Sequence, residues 1–159
     1  MLPLLIIFSY LMGSIPSGYL IVKQKLNKDI RDFGSGNIGT TNVKRIAGKK
    51  IGNIVLLCDM LKAIIPVLIA KMFVNNDLIT INPSIVLSLV ALAAILGHNY
   101  TIFLKFKGGK GVATSAAAFM LIVPKAFLVT AVVFFGLKLL TKIVSIRSLI
   151  SGLVLFIST

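Results

Sequence analysis

The stretch IGNIVLLCDMLKAIIPVLIAKMFV, residues 51–74, decides the fold class. A helix needs about 20 consecutive apolar residues to cross the hydrocarbon core of a bilayer, and this stretch is long enough. Its only charged residues are Asp59, Lys62 and Lys71. Asp59 and Lys62 stand three positions apart, which places them on one helical face where they can neutralise each other. Ionisable groups inside a bilayer are costly and tend to be paired or functional. Pairing accounts for these two, so no catalytic role is assigned to them.

Similar runs lie on both sides. Residues 1–22 form a first apolar run, 84–100 a third, and 144–158 the last. The run 111–140 is interrupted by Pro124-Lys125 and reads as two short segments, the first of them short for a full crossing. The expected fold is therefore all-α: a polytopic transmembrane helical protein of about six spans, some short or half-membrane, forming one membrane domain over 1–159. With 57% hydrophobic residues, a soluble domain would lack the polar shell that its core requires. Residues 1–22 carry no cleavage-site pattern after a short apolar core and read as a retained span. Cys58 is the single cysteine, which excludes a disulfide framework, and no metal site is expected.

The net charge of +13 comes from 17 Lys plus Arg against four acids. Nucleic-acid binding would suit that balance, but the charges cluster in the gaps between apolar runs, as cytoplasmic loops do under the positive-inside rule. The first gap holds Lys23, Lys25, Lys28, Arg31, Lys44, Arg45, Lys49 and Lys50. The second, 75–83, has no Lys or Arg and carries Asp77. The third holds Lys105, Lys107 and Lys110; the fourth has Lys125; the fifth has Lys138, Lys142 and Arg147. The alternation places the N-terminus outside and residues 23–50, 101–110 and 138–147 in the cytoplasm, with Thr159 on the outer side.

Two of the basic gaps carry chemistry. The first contains Phe33-Gly34-Ser35-Gly36-Asn37-Ile38-Gly39-Thr40-Thr41-Asn42-Val43-Lys44-Arg45. Small residues let backbone N–H groups approach a ligand, hydroxyls and amides add donors, and Arg45 offers a planar fork that fits phosphate oxygens. Gly34, Gly36 and Gly39 also match G-x-G-x-x-G, but no strand precedes them and no parallel-sheet unit surrounds them, so a dinucleotide fold is rejected. The third gap runs Gly97-His98-Asn99-Tyr100, then Phe106-Lys107-Gly108-Gly109-Lys110-Gly111-Val112-Ala113-Thr114. It lacks P-loop spacing, yet two lysines bracket a glycine pair and an Ala-rich helix follows, whose N-terminus would favour an anion. Either stretch alone could also be a flexible, positively charged connection; two on one side of the membrane favour a ligand. His98 is the single histidine. No Asp follows it at the His-x-x-x-x-Asp spacing, since residue 103 is Phe, and no Ser-His-acid triad has a suitable acid. It stands more readily as a hydrogen-bonded structural residue than as a base.

Taken in order, Gly34-Ser35-Gly36-Asn37 through Thr41-Asn42-Val43-x-Arg45, Asp59-x-x-Lys62, and Gly97-His98 through Lys107-Gly108-Gly109-Lys110-Gly111-Val112-Ala113-Thr114 resemble the bacterial acyl-phosphate:glycerol-3-phosphate acyltransferase family. Gly13-Ser14-Ile15-Pro16 fits as well, so the resemblance covers nearly the whole chain. It implies transfer of an acyl group from an acyl phosphate to the 1-hydroxyl of glycerol 3-phosphate. The products are lysophosphatidic acid, for phospholipid synthesis, and phosphate. The site would face the cytoplasm at the bacterial inner membrane. No cofactor is implied; the partners are the two substrates and membrane lipid, not nucleic acid. By the same resemblance Ser35 and Arg45 bind an anion, with Gly36, Asn37, Thr41 and Asn42 in support. Lys107, Gly108, Gly109 and Lys110 hold the phosphate of glycerol 3-phosphate, and Ser145 resembles a later family serine. Phosphate is a good leaving group and a substrate phosphate can take the hydroxyl proton, so catalysis by positioning and electrostatics tolerates the missing triad.

The sequence departs from the family pattern in one respect. Members usually run further, to another span and a motif with His, Asn and Arg near a Gly-Glu pair, and nothing after Ser145 matches it. The expectation is a C-terminally truncated domain of the acyltransferase type. The alternative is a truncated or decayed member that inserts in the membrane without turnover. A small anion transporter would call for ionisable residues along several spans, which the sequence does not offer.

Overall fold

The computed structural model describes residues 1–141 and 143–158. Lys142 and Thr159, both used in the charge reading, lie outside the described residues. The described residues form helices and no strand: α1 (Leu2–Ser14), α2 (Ser17–Leu26), α3 (Thr40–Asn75), α4 (Pro83–Asn99), α5 (Val112–Ile122), α6 (Pro124–Gly136) and α7 (Val144–Ile157). Short 3-10 turns occupy Ile30–Asp32, Ile102–Leu104 and Leu137–Leu139. Three helical stretches among the described residues are long and apolar enough to cross a membrane: Leu2–Leu26, Thr40–Asn75 and Pro83–Leu104. The helices α5 and α7 are apolar but shorter. At 1.5 Å per residue, the 11 residues of α5 reach only about 16 Å, roughly half of a bilayer core.

Helix boundaries follow local chemistry. The first apolar run breaks into α1 and α2 at Ile15-Pro16, because Pro16 cannot donate to the helical ladder. The Asn82 side chain caps α4 by accepting from Ser84 N–H at 2.9 Å, with Pro83 in the first turn. Pro124 separates α5 from α6, at the interruption anticipated from sequence.

The gap between the first and second runs differs from its expected form as a loop. Helix α3 begins at Thr40, so Thr41, Asn42 and Arg45 are helical residues rather than loop residues. The helix is broken at Gly48, whose φ of 83° and ψ of 170° suit only glycine. Its first segment folds back on the second so closely that a Cβ on Gly52 would collide with Lys44.

The chain divides into two compact units, Met1–Ala118 and Phe119–Thr159. In the first, α1 packs on α4 through small residues: a Cβ on Gly13 would strike the Ala94 carbonyl, and one on Gly97 would strike that of Tyr10. Close backbone approach of this kind is how helices associate in lipid, where the hydrophobic effect offers no help. The Ser9 hydroxyl donates across the same contact to the Val90 carbonyl at 2.6 Å. Apolar side chains such as Leu4, Leu11, Leu57, Leu68 and Leu92 face outward, as lipid-facing residues do. In the second unit α6 packs on α7, and the buried Arg147 guanidinium lies 4.9 Å above the Phe134 ring.

Candidate active site

The two motif stretches are anchored to one apolar cluster in the first unit. Its buried members are Val22, Ile30, Ile38, Val43, Val55 and Leu104. Ile30, Ile38 and Val43 flank or belong to the first motif, and Leu104 belongs to the turn that leads into the second. Helix α2 closes on the first loop at Gly18, where a Cβ would strike the Ile38 carbonyl.

Asn42 builds the first loop. It is buried, and its amide nitrogen donates to the carbonyls of Phe33 (2.9 Å), Asn37 (3.0 Å) and Ile30 (3.4 Å). Its Oδ1 accepts from Ser35 N–H at 3.0 Å. Gly34 (φ 60°) and Gly36 (φ 68°) supply the left-handed turns that wrap the loop around this amide. Asn37 makes a local turn, its Oδ1 accepting from Gly39 N–H at 2.8 Å. The side-chain groups of Asn42 and Asn37 are thus engaged in holding the loop's shape. Ser35, Gly36, Thr41 and Arg45 remain exposed on it, with Thr41 and Arg45 one helical turn apart on the same face of α3.

Arg31 is not part of that exposed cationic set. Its guanidinium grips Asp29 at 2.6 Å and lies over the Tyr19 ring at 5.1 Å. The hydrogen bond from the Arg31 side chain, with a second from its backbone N–H, holds the Asp29 carboxyl down to about 2. Asp29 therefore stays ionised at neutral pH and cancels Arg31. Among the described residues Arg45 has no ion-pair partner.

The second loop rests on the end of α4. Gly108 N–H donates to the Asn99 carbonyl (3.0 Å) and Gly109 N–H to the His98 carbonyl (2.9 Å). These two amides cap α4. Both N–H groups are thereby engaged by main-chain carbonyls. What the glycines provide is proximity: a Cβ on Gly108 would strike the His98 and Asn99 carbonyls, and one on Gly109 would strike the His98 ring. Lys105 (φ 53°) and Phe106 (φ 61°) are consecutive non-glycine residues in the left-handed region, a costly arrangement of the kind found at functional loops. Lys107 and Lys110 are exposed at the rim. Helix α5 begins at Val112, directly after the loop.

Beneath this loop lies a polar cluster that sequence reasoning did not assemble. Asp59, Lys62 and His98 are each 3–4% exposed. Lys62 Nζ lies 2.9 Å from Asp59 Oδ1, 2.7 Å from the Ile15 carbonyl and 3.3 Å from His98 Nδ1. The Asp59–Lys62 pair was legible from spacing; its partners were not. The available signal was that polar groups in apolar helices seek one another, and this chain has one histidine. The Gly13-Ser14-Ile15-Pro16 motif also finds its place here. Pro16 interrupts the helix, and the freed carbonyls of Ser14 and Ile15 accept from Thr101 and Lys62. Thr114 on α5 donates to the Asp59 carbonyl at 3.0 Å. Ser145 lies on the first turn of α7 in the second unit, half-buried.

Comparison with known proteins identifies the family. The family model described as glycerol-3-phosphate acyltransferase matches residues 3–159. A glycerol-3-phosphate acyltransferase of Clostridium acetobutylicum is 52% identical over 93% of this chain and 75% of its own length. One from Macrococcus caseolyticus is 43% identical over 98% and 76%. Crystal structures of PlsY (YgiH), an integral membrane glycerol 3-phosphate acyltransferase, superpose with a TM-score of 0.86 at 41% identity in the glycerol 3-phosphate form. The lysophosphatidic acid form gives 0.83 at 39%. Both comparisons cover 98% of this chain and 74% of the other. The chain is an integral membrane protein and belongs to the glycerol-3-phosphate acyltransferase family.

Proposed function

We propose that this protein transfers an acyl group from an acyl phosphate to the 1-hydroxyl of glycerol 3-phosphate, at the cytoplasmic face of the bacterial inner membrane. The observation that carries this reading is the seating of two exposed, cationic, glycine-rich stretches on one apolar cluster, in a unit whose outer surface is apolar. Both substrates carry phosphate and one carries a lipid chain, so anion sites beside lipid-facing helices are what the reaction requires. We read the whole of 1–159 as one membrane domain of this type, as the extent of the family match supports. About six spans with the N-terminus outside remain our reading of the charge pattern.

In this reading Arg45 and Ser35, with Thr41 one turn from Arg45, take one phosphate. The Lys107 and Lys110 side chains take the phosphate of glycerol 3-phosphate, while Gly108 and Gly109 set their height. The 1-hydroxyl oxygen attacks the acyl carbon, the C–O bond to phosphate breaks, and inorganic phosphate leaves with the electron pair. The hydroxyl proton passes to a substrate phosphate. Fixed cations facing the developing charge and a held geometry supply the rate.

The test is purified, membrane-reconstituted protein given palmitoyl phosphate and labelled glycerol 3-phosphate. One lysophosphatidic acid should form for each phosphate released. Phosphate release without acylated product, or equal use of palmitoyl-CoA, counts against the reading.

A further inference from the structure

Lys62 Nζ, an ammonium that can only donate, lies within hydrogen-bond distance of Asp59 Oδ1, the Ile15 carbonyl and His98 Nδ1, whereas His98 Nδ1 lies farther, 3.7 Å, from Asp59 Oδ1. Donation to Nδ1 requires a lone pair there, so the ring proton belongs on Nε2. Charge agrees with geometry. Asp59 and Lys62 cancel, and a neutral His98 leaves the buried cluster neutral, whereas an imidazolium would leave an uncompensated charge among apolar helices. The Nε2 edge faces Gly109, in the space that a side chain at 109 would fill. The ring and the main chain of His98 therefore both support the loop, the latter through Gly109 N–H.

We propose that His98 is a positioning residue: Lys62 fixes it as the neutral Nε2–H tautomer, and its ring sets the height of the Lys107–Lys110 segment. The connection to catalysis rests on reading that segment as the phosphate site of the acyltransferase. His98 is then no general base, since its outward nitrogen already carries a proton and the ring is 4% exposed. The brace links four parts of the unit: the α1 break at Ile15, α3 through Asp59 and Lys62, α4 through His98, and the loop through Gly109.

His98 is the only histidine, so protein labelled with 15N-histidine gives ring signals from one residue. In the membrane-reconstituted wild type at neutral pH, Nδ1 should be bare and Nε2 protonated. In the charge-balanced pair Asp59→Asn with Lys62→Met, the preference should collapse to a tautomer mixture. In turnover, His98→Ala should raise KM for glycerol 3-phosphate by about ten- to a hundredfold, as small misplacements do, with a smaller change in KM for palmitoyl phosphate. His98→Gln, which keeps an amide donor near Nε2, should recover part of the loss. An Nδ1–H ring or an imidazolium in active wild-type protein overturns the brace, as does a His98→Ala enzyme with unchanged KM. A bare Nδ1 in protein that forms no lysophosphatidic acid sinks the acyltransferase reading and leaves the tautomer assignment standing.

Discussion

Lys62 Nζ donates to the Ile15 carbonyl at 2.7 Å across 47 positions of sequence. That carbonyl is available because Pro16 ends α1. The Ile15 carbonyl at the break, which also accepts from Ser17 N–H at 2.9 Å, thus pairs with a lysine buried in another helix. The same ammonium holds Asp59.

Removing one partner should therefore cost more than removing two. Lys62→Met breaks the buried pair and leaves Asp59 with only the His98 ring, 3.7 Å away, at a cost of about 3–5 kcal/mol. Asp59→Asn combined with Lys62→Met should recover much of this. Unfolding in mixed detergent micelles measures both; equal loss in the single and double variants would contradict the pairing.

These relationships mark how far the sequence could be read. Apolar runs and Pro124 gave the helices, because length and hydropathy are local properties. The polar composition of residues 39–50 disguised the start of α3, which the break at Gly48 separates from its apolar part. Asn42 was legible as a polar donor, but the direction of its amide, inward to Phe33 and Asn37, depends on how the loop closes. The same holds for Gly108 and Gly109, whose amides turn to the end of α4. Asp59–Lys62 announced itself by spacing; His98 joins it through tertiary packing alone.

Arg45 should contribute affinity through charge and shape together. Arg45→Ala should weaken binding of a phosphorylated substrate by about 1.5–3 kcal/mol, the range for hydrogen bonds to charged groups. Arg45→Lys should recover only part, because the planar fork is lost. Substrate titration at two salt concentrations checks this, and unchanged kinetics for both variants would remove Arg45 from the site.

Gly48→Ala tests the break in α3. Nothing lies within 4 Å of a Cβ there, so any cost arises from the positive φ. The expected loss is about 1–3 kcal/mol, read by thermal unfolding in detergent. No loss would mean that the two segments of α3 can meet at another angle.

Topology is tested with Asn37→Cys in a Cys58→Ala background. The positive-inside pattern places residue 37 in the cytoplasm. An impermeant thiol reagent should leave it unlabelled in intact cells and label it after the membrane is opened. Rapid labelling from outside would reverse the orientation.

Palmitoyl phosphate can donate either its acyl or its phosphoryl group, and the central claim is that this protein transfers the acyl group. Palmitoyl phosphate carrying 18O at the oxygen that bridges carbon and phosphorus separates the two in one measurement. Attack by the glycerol 3-phosphate hydroxyl on the acyl carbon puts the label in inorganic phosphate and leaves lysophosphatidic acid unlabelled, which is the predicted result. Label recovered in free palmitate, with phosphate transferred to glycerol 3-phosphate, would contradict it.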